Sequence, residues 1–314
     1  VPMLAGRGLA HTGGTIDKLE SIPGFITNLT MMEMENNPCF ISCQTDEIAP
    51  TDRILYPTRD ITATVDQIGL ITASIVSKKV AEGLEKLVLD VKCGEAAFMK
   101  TKEEAIALAE SMVKAAKALE VETVAQVTRM DNPIGNMIGN AHEIAECIDC
   151  LWGSGPYDTM ELVEMQARAL GVDNVYQYLK DGSAIREFKA MCMRQGVSEK
   201  TVEMLCADPW SVLDRHPERN EIRAYETGYL SGIDAMMIGR QLCKVGAGRL
   251  KQSDDIDHSI GIEILYPIGT YVKQGDVLAY YDGPRGGAEL YLAECFKISE
   301  QPIKLESRLI KVID

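Results

Sequence analysis

Residues 6–15, GRGLAHTGGT, combine glycines with hydroxyl side chains near the start of the sequence. Glycine lets the backbone turn tightly and approach a ligand, and the exposed amides of such a turn suit an oxyanion. Thr12 and Thr15 add hydroxyl donors. The run fits neither the G-x-G-x-x-G pattern of dinucleotide loops nor the G-x-x-x-x-G-K-S/T pattern of nucleoside triphosphate loops. It therefore indicates either a site for a small anion or a structural turn before a helix.

A serine and a lysine four residues apart form a second candidate site, within an apolar-periodic stretch that predicts a helix over residues 61–82. Ser74 and Lys78 share one face of that helix, so their hydroxyl and ammonium groups can hydrogen-bond one ligand together. Arg59 precedes the helix and adds a donor for a carbonyl. The residues alone fit a solvated lysine and a packed serine as well.

Two glutamates three residues apart, Glu143 and Glu146, lie in a predicted helix over residues 140–151. The spacing places both carboxylates on one side of the helix, where they either serve one site or form a solvated acidic face. The neighbouring His142 is predicted to lie at the helix surface. His11, inside the glycine-rich run, is predicted to order that loop through hydrogen bonds rather than to act as an acid or base.

The nine cysteines are an odd number without the rhythm of a disulfide framework. Cys147 and Cys150 form a C-x-x-C pair within a helical pattern, but no second pair follows and no two histidines have zinc spacing. We therefore predict free thiols in a reducing cytosol rather than a metal site. The polar, turn-like surroundings of His216 and His258 predict solvated side chains.

Strand-like and helix-like segments alternate through the first half of the sequence. Predicted strands cover residues 38–43, 86–92 and 121–129, and predicted helices cover 61–82, 102–119, 140–151 and 158–170. Thr101 and Glu104 form a capping box that opens the second of these helices. This order predicts an α/β fold with a mixed, largely parallel central sheet and flanking helices. From residue 222, short β-like runs between glycine and proline turns predict a C-terminal α+β domain.

The composition excludes several classes of protein. Hydrophobic residues make up 46% of the 314 residues and charged residues 25%, as in a globular chain that can bury a core. The net charge of −15 makes the chain a poor partner for nucleic acid or an anionic membrane. No apolar run approaches the ~20 residues that span a bilayer, and the start lacks the features of a signal peptide. We therefore predict a cytoplasmic protein.

Longer runs of the sequence resemble the thymidine phosphorylase and pyrimidine-nucleoside phosphorylase family. The run GRGLAHTGGTIDKLESIPGF is similar to the family signature, and it is followed in order by Arg59-Asp60, ITASIVSKK, LVLDVKCGEAAFMKT and DNPIGNMIGNAHEIAE. Weaker similarity continues to the end, including GAGR at 246–249. The resemblance implies a homodimer that needs no organic cofactor. The implied reaction is reversible phosphorolysis, in which a pyrimidine deoxyribonucleoside and inorganic phosphate give the free base and deoxyribose 1-phosphate.

The resemblance also implies a base site. The family's base-binding arginine, serine and lysine fall on Arg59, Ser74 and Lys78, and the two cations of this set would be the catalytic residues. The apolar wall of the family's pocket falls on Leu9, Tyr56, Ile71, Ile75 and Phe98. Together these residues would hold the pyrimidine and stabilise it as it leaves the sugar.

On the phosphate side the resemblance is incomplete. A phosphate-contacting threonine of the family falls on Thr15, whereas the family serine just before GRG is replaced by Ala5. One lost donor to a charged acceptor costs roughly 1.5–3 kcal/mol. The family's K-x-S-x-G-G-x-G-D-like phosphate loop, which precedes GRG, has no counterpart in the sequence. We therefore expect an N-terminally truncated chain with an incomplete catalytic site, unless a separate chain supplies the loop.

Relatives in this family bind a monovalent cation through backbone carbonyls and one carboxylate. By that match Glu146 would be the carboxylate ligand, with the carbonyls of Ile134 and Met137. Such hard oxygen ligands suit K⁺ or Na⁺. The remaining ligands of the family's cation site belong to the absent phosphate loop.

With the resemblance in place, the sequence divides into four predicted parts. These are an α/β phosphate- and sugar-binding domain (1–50 and 83–171), a helical-domain segment with the base site (51–82), a bridging helical segment (172–221) and a C-terminal α+β domain (222–314). Two alternatives stay open for the function. A related phosphorylase or phosphoribosyltransferase would share the architecture, although Arg59, Ser74 and Lys78 favour a pyrimidine. A catalytically inactive relative that binds a ligand or partner would explain Ala5 and the missing loop.

Overall fold

The computed structural model describes residues 1–8, 13–45, 48, 50, 67–251, 254–286 and 288–314. Its helices are α1 (Thr15–Leu19), α2 (Met31–Glu35), α3 (Ile68–Ala81), α4 (Lys102–Ala118), α5 (Asn140–Leu151), α6 (Tyr157–Ala169), α7 (Val175–Lys180), α8 (Ser183–Arg194), α9 (Glu199–Ala207), α10 (Ala235–Lys244) and α11 (Ala288–Ala293). Its strands are β1 (Pro2–Ala5), β2 (Phe40–Cys43), β3 (Lys86–Cys93), β4 (Glu122–Arg129), β5 (Met137–Gly139), β6 (Arg219–Arg223), β7 (Gly228–Ile233), β8 (Gly261–Ile264), β9 (Tyr271–Val272), β10 (Val277–Asp282), β11 (Phe296–Ser299) and β12 (Leu309–Ile313). Within these described ranges, no helix has the length and apolarity needed to span a membrane.

Parallel strand pairs form the α/β part of the fold, as the alternation of elements predicts. β3 pairs with β4 in parallel, with Leu87 opposite Thr123, and β1 pairs with β2 in parallel. Alternate side chains of β3, among them Leu87 and Val91, are buried in a core that α4 covers with Leu108. β12 pairs antiparallel with β4, so the sheet is mixed. The predicted fold class is confirmed.

Local signals in the sequence set the ends of the helices around this sheet. The Thr101 side chain accepts the backbone N–H of Glu104, and the Glu104 carboxylate accepts the N–H of Thr101, which confirms the predicted capping box. α3 confirms the described part of the helix predicted over 61–82, whereas residues 61–66 lie outside the described ranges. α3 lies beside α4, where Thr72 Oγ1 is 2.9 Å from Ser111 Oγ.

The second half of the chain is rich in antiparallel β-structure. Its sheets have the strand orders β5–β8–β10–β6 and β11–β7–β9, around a core that includes Leu230, Ile262 and Phe296. β5 comes from the first half of the chain and joins this part by pairing with β8. β12 makes the reverse exchange, because it follows the C-terminal sheets and pairs with β4. The two halves are therefore interlocked, and the four-part division given above stays a prediction.

A third core joins the glycine-rich start of the chain to the helices of the middle. α1, α5, α8 and α9 contribute to it, with Ile148, Ile185 and Leu205 buried together. α5 also contacts the C-terminal part, since the Ala141 amide donates to the carbonyl of His258 at 3.3 Å. α5 is therefore held between the glycine-rich run and the C-terminal sheets.

Candidate active site

The glycine-rich run crosses itself between β1 and α1. A Cβ added to Gly14 would lie 2.1 Å from the amide nitrogen of Gly8, so no residue with a side chain fits at this crossing without moving the backbone. Thr15, the proposed phosphate contact, is exposed and is the first residue of α1 directly after the crossing. Predictions for Leu9, His11 and Thr12 fall outside the described residues.

Asp17, in α1, holds this crossing through a buried carboxylate. Its side chain is 1% exposed, and its Oδ2 accepts the Gly8 amide at 2.7 Å. Its Oδ1 accepts hydrogen bonds from the guanidinium groups of Arg7 at 3.2 Å and Arg249 at 2.5 Å. Sequence reasoning did not find this contact, because an acid in the first turn of a helix is already explained by the helix dipole. The available signal was the GAGR run that contains Arg249.

A small cavity of about 70 Å³ lies where the glycine-rich run meets α5 and the segment after α10. Gly14, Lys18, Glu143 and Arg249 contribute to its lining. Lys18 Nζ is 2.5 Å from a carboxylate oxygen of Glu143. Burial lowers the pKa of Lys18, but the Glu143 carboxylate outweighs burial and leaves that pKa above its usual value. Glu143 is therefore committed to an ion pair and does not form the solvated acidic face that was one of its two interpretations.

Ser74 and Lys78 meet on α3, as their spacing predicts. Lys78 Nζ donates to Ser74 Oγ at 3.2 Å. Ser74 is 6% exposed, and Lys78 is half-buried rather than fully solvated. A hydroxyl and an ammonium thus lie side by side and can present hydrogen-bonding groups to one ligand.

The predicted apolar wall divides between core and surface. Ile71 and Ile75 are partly buried and pack against the core of β3 and α4. Phe98 follows β3 and is 63% exposed. Arg59 and Tyr56 lie outside the described residues, so their predicted roles in the base site stay predictions.

Glu146, the predicted carboxylate ligand of a cation, lies against the turn before β5. Glu146 Oε1 accepts the amides of Asn136 at 2.7 Å and Met137 at 3.1 Å. Gly135 has a φ of +76° and packs so closely that an added Cβ would lie 2.0 Å from Glu146 Oε2. Burial raises the pKa of Glu146 to about 7, against the two amide hydrogen bonds, and the carboxylate of Asp158 adds to the rise. A cation beside these carboxylates would offset that penalty, so the residues present fit one.

His142 is not at a helix surface, and that prediction is wrong. The residue has no exposed surface, and its Nε2 lies 2.8 Å from Oδ2 of the buried Asp282. The Trp210 ring meets the imidazole edge-on, with 5.0 Å between ring centroids. The sequence pattern around α5 did not show this, because the face bearing His142 is covered by β10 and by the segment around Trp210, far away along the chain.

His216, His258 and the cysteines form no metal centre in the part of the chain that the structure describes. His216 and His258 are half-buried rather than solvated, and His216 Nδ1 accepts the amide of Glu218 at 3.1 Å. The predicted free thiols are confirmed for all nine cysteines. Burial raises the pKa of Cys150 to about 12, which keeps that thiol protonated and unreactive. Over the described ranges, no group of three or more histidine, cysteine or acidic side chains could hold a metal ion.

Comparison with known proteins decides the family. Residues 1–189 match the model of the glycosyl transferase family a/b domain, and residues 229–281 match that of the pyrimidine nucleoside phosphorylase C-terminal domain. The chain belongs to the pyrimidine-nucleoside phosphorylase family. It is 39% identical to thymidine phosphorylase of Homo sapiens over 306 residues. This match covers 90% of this chain and 64% of the human protein. It is also 39% identical to pyrimidine-nucleoside phosphorylase of Geobacillus stearothermophilus over 323 residues. That match covers 97% of this chain and 73% of the bacterial protein.

The chain spans slightly less than two thirds of the human thymidine phosphorylase that it matches. The match to the a/b-domain model contains the glycine-rich run, the Ser74–Lys78 pair and Glu146. Arg249 lies within the range that matches the C-terminal-domain model. Membership of the pyrimidine-nucleoside phosphorylase family thus confirms the resemblance seen in the sequence.

Proposed function

We propose that this chain is the larger part of a pyrimidine-nucleoside phosphorylase, which transfers a pentosyl group from a pyrimidine base to inorganic phosphate. The observation that supports the proposal is the hydrogen bond between Lys78 and Ser74 on α3, two residues that the resemblance matches to the family's base-binding lysine and serine. Thymidine and phosphate are the proposed substrates, with thymine and 2-deoxyribose 1-phosphate as products. No organic cofactor enters the reaction.

At the base end, the reaction breaks the bond between C1′ of the sugar and N1 of the pyrimidine. The electron pair of that bond passes to the base, whose carbonyl oxygens gain negative charge. Lys78 and Arg59 would stabilise that charge, and Ser74 would orient the base through its hydroxyl. Because Lys78 donates to Ser74 in the structure, a bound base would take over donors that are already placed side by side.

At the phosphate end, an oxygen of inorganic phosphate forms the new bond to C1′ of the oxocarbenium-like sugar. Thr15 would donate its hydroxyl to the anion, beside amides of the glycine-rich run. Ala5 cannot make the donation that the family serine makes at that position. The proposed phosphate site is completed by the family's phosphate loop, which the 314 residues do not contain.

A monovalent cation, K⁺ or Na⁺, would be held by Glu146 and the carbonyls of Ile134 and Met137. It would supply positive charge to the turn before β5 and keep Glu146 ionised. The chain's own contribution there is the hydrogen bonding that fixes the turn on the Glu146 carboxylate.

The proposal is tested by following free thymine after thymidine and phosphate are added to two proteins. One is the 314-residue chain alone. The other is a hybrid in which the N-terminal part of the G. stearothermophilus relative, including its phosphate loop, precedes Val1. We expect negligible turnover by the chain alone and robust turnover by the hybrid. Turnover by the chain alone within tenfold of the G. stearothermophilus enzyme would overturn the predicted dependence on the loop.

One observation favours a second function, an inactive relative that binds a ligand or partner. Ala5 removes a donor from the phosphate side while the base-side residues remain. A folded hybrid that binds thymidine but releases no thymine at any phosphate concentration would favour this second function over catalysis. Assembly as a homodimer and a cytoplasmic location stay predictions. Measuring the size of the hybrid in solution would test the first, and fractionating the cells that naturally make this chain would test the second.

A further inference from the structure

A cluster of charges ties the glycine-rich run to a segment more than two hundred residues further along the chain. Asp17 lies at its centre, with its carboxylate bonded to Arg7, Gly8 and Arg249. Arg7 also forms an ion pair with Glu20. Two positive and two negative side chains thus surround the point at which the run crosses itself, and their charges balance.

The hydrogen bond from the Gly8 amide to Asp17 links the charge cluster to the backbone of the glycine-rich run. Gly8 and Gly14 bracket residues 9–13, and both glycines lie against the Asp17 carboxylate: the Gly8 amide donates to it at 2.7 Å, and a Cβ on Gly14 would be 2.5 Å from Oδ2. The carboxylate therefore lies close to both Gly8 and Gly14, directly before Thr15 at the start of α1. If the Asp17 side chain were displaced, the distance between Gly8 and Gly14 would no longer be fixed.

Arg249 is the member of the cluster that comes from the C-terminal half. Its side chain is 11% exposed, and its Nε donates to the carbonyl of Asp254 at 3.1 Å. The guanidinium is thus oriented by its own segment while Nη1 donates to Asp17. Without such a cation beside it, a buried carboxylate would carry an uncompensated charge. The segment after α10 therefore controls the carboxylate that holds the run.

We propose that Asp17 and Arg249 are positioning residues for phosphate: Asp17 holds Gly8 and Gly14 together so that the Gly13 and Gly14 amides and the Thr15 hydroxyl are presented to the anion, and Arg249 holds Asp17. This inference rests on the proposed phosphorolysis, because it takes the glycine-rich run as the phosphate side. Neither side chain is a catalytic residue, since each acts on phosphate through the backbone of the run. The proposed polar contacts to the base on α3, Ser74 and Lys78, depend on neither.

Amide hydrogen exchange of the 314-residue chain tests the structural half of the proposal. We expect exchange at the Gly8, Gly13 and Gly14 amides to be at least tenfold faster in Arg249→Gln and Asp17→Asn than in the wild-type chain. Arg249→Lys keeps the charge and should lie between. Arg223→Gln is the matched control, because Arg223 pairs with Glu221 on the surface of the same half. Unchanged exchange in Arg249→Gln and Asp17→Asn would overturn the proposal.

Kinetics of the hybrid test the phosphate half. In Arg249→Gln the KM for phosphate should rise at least tenfold while the KM for thymidine stays within threefold, and Arg249→Lys should recover part of the loss. Equal rises in both KM values, or faster exchange without any change in the KM for phosphate, would overturn the positioning role. If the wild-type hybrid shows no turnover, the proposed function fails. Equilibrium dialysis of labelled inorganic phosphate against the wild-type and Arg249→Gln hybrids then decides the positioning role by itself: a tenfold loss of affinity supports it, and equal affinities or no binding overturn it.

Discussion

The Nε2 atom of His142 lies 2.8 Å from Oδ2 of Asp282, and neither residue has exposed surface. The two are 140 positions apart, one in α5 and the other at the end of β10. Arg219 donates to both oxygens of the same carboxylate, at 3.0 and 2.9 Å. A carboxylate buried to this degree is tolerated because it is paired and hydrogen-bonded. This contact joins the helix beside the glycine-rich run to the C-terminal sheet.

Asp282→Asn should destabilise the protein by about 3 kcal/mol at pH 7. Removing one partner of a buried pair leaves the others uncompensated, and the lower end of the usual range applies because Arg219 keeps some contact with water. Urea unfolding followed by circular dichroism measures the change. Glu221→Gln is the control, since its partner Arg223 is largely exposed and such pairs contribute less than about 1 kcal/mol. Equal effects of the two substitutions would contradict this interpretation of the pair.

The same pair predicts a loss of stability in acid. Burial raises the pKa of Asp282, but the hydrogen bond to His142 and the charge of Arg219 outweigh burial and hold the pKa below its usual value. The stabilisation is therefore present above the ordinary pKa of an aspartate, about 3.9, and is lost as pH falls through the lower folded-state value. The stability difference between wild type and Asp282→Asn should narrow below about pH 4. A difference that stays constant down to pH 2 would argue against this titration.

Local signals in the sequence predicted the elements of the fold better than its long-range contacts. The capping box at Thr101 and the pairing of Ser74 with Lys78 depend on residues three or four apart, and both are present in the structure. The burial of His142 and the pairing of Asp17 with Arg249 depend on segments that meet only after folding. No pattern around either residue shows which distant segment covers it. The return of β12 to β4 was hidden for the same reason.

Glu146 should make stability fall as pH rises. Burial raises its folded-state pKa to about 7, so the folded protein holds a proton there that the unfolded chain releases near the ordinary value. The contribution of Glu146 to the free energy of unfolding is therefore fully present below the ordinary glutamate pKa of about 4.3. Roughly 3 kcal/mol of that contribution is lost by pH 8, as the pH rises through the folded-state pKa. Glu146→Gln removes the effect, so the variant should gain stability relative to wild type between pH 5 and 8. If the difference in free energy of unfolding between wild type and Glu146→Gln does not change with pH, the raised pKa of Glu146 is disproved.

The cation proposal adds a salt-specific expectation to that experiment. K⁺ bound beside Glu146 would favour the ionised carboxylate, so the pH slope of wild type should be smaller in KCl than in tetramethylammonium chloride of equal concentration. Glu146→Gln should show the same slope in both salts. If both salts affect the wild type equally, the proposed cation does not bind at Glu146.

Base recognition should depend more on charge than on the serine hydroxyl. In the hybrid, Lys78→Ala or Arg59→Ala should lower kcat/KM by about 10²-fold or more, as expected when a donor that stabilises developing charge is lost. Ser74→Ala should cost about 1–2 kcal/mol, because it removes one neutral hydrogen-bonding group. Lys79→Ala is the matched control: Lys79 lies on the same helix and pairs with Glu82 instead of Ser74. Unchanged kinetics in Lys78→Ala would show that Lys78 plays no part in base recognition.

Restoring the family serine should strengthen phosphate binding. Ala5 ends β1 and directly precedes the glycine-rich run, so Ala5→Ser in the hybrid would place a hydroxyl at the entrance to the proposed phosphate site. The expected gain is up to about 1.5–3 kcal/mol, the value of one hydrogen bond to a charged acceptor, and it should appear as a lower KM for phosphate. The KM for thymidine should move far less, because the base is held from α3. Initial rates at varied phosphate, with thymidine saturating, measure the effect. An unchanged or higher KM for phosphate would mean that the end of β1 does not face the anion in this protein.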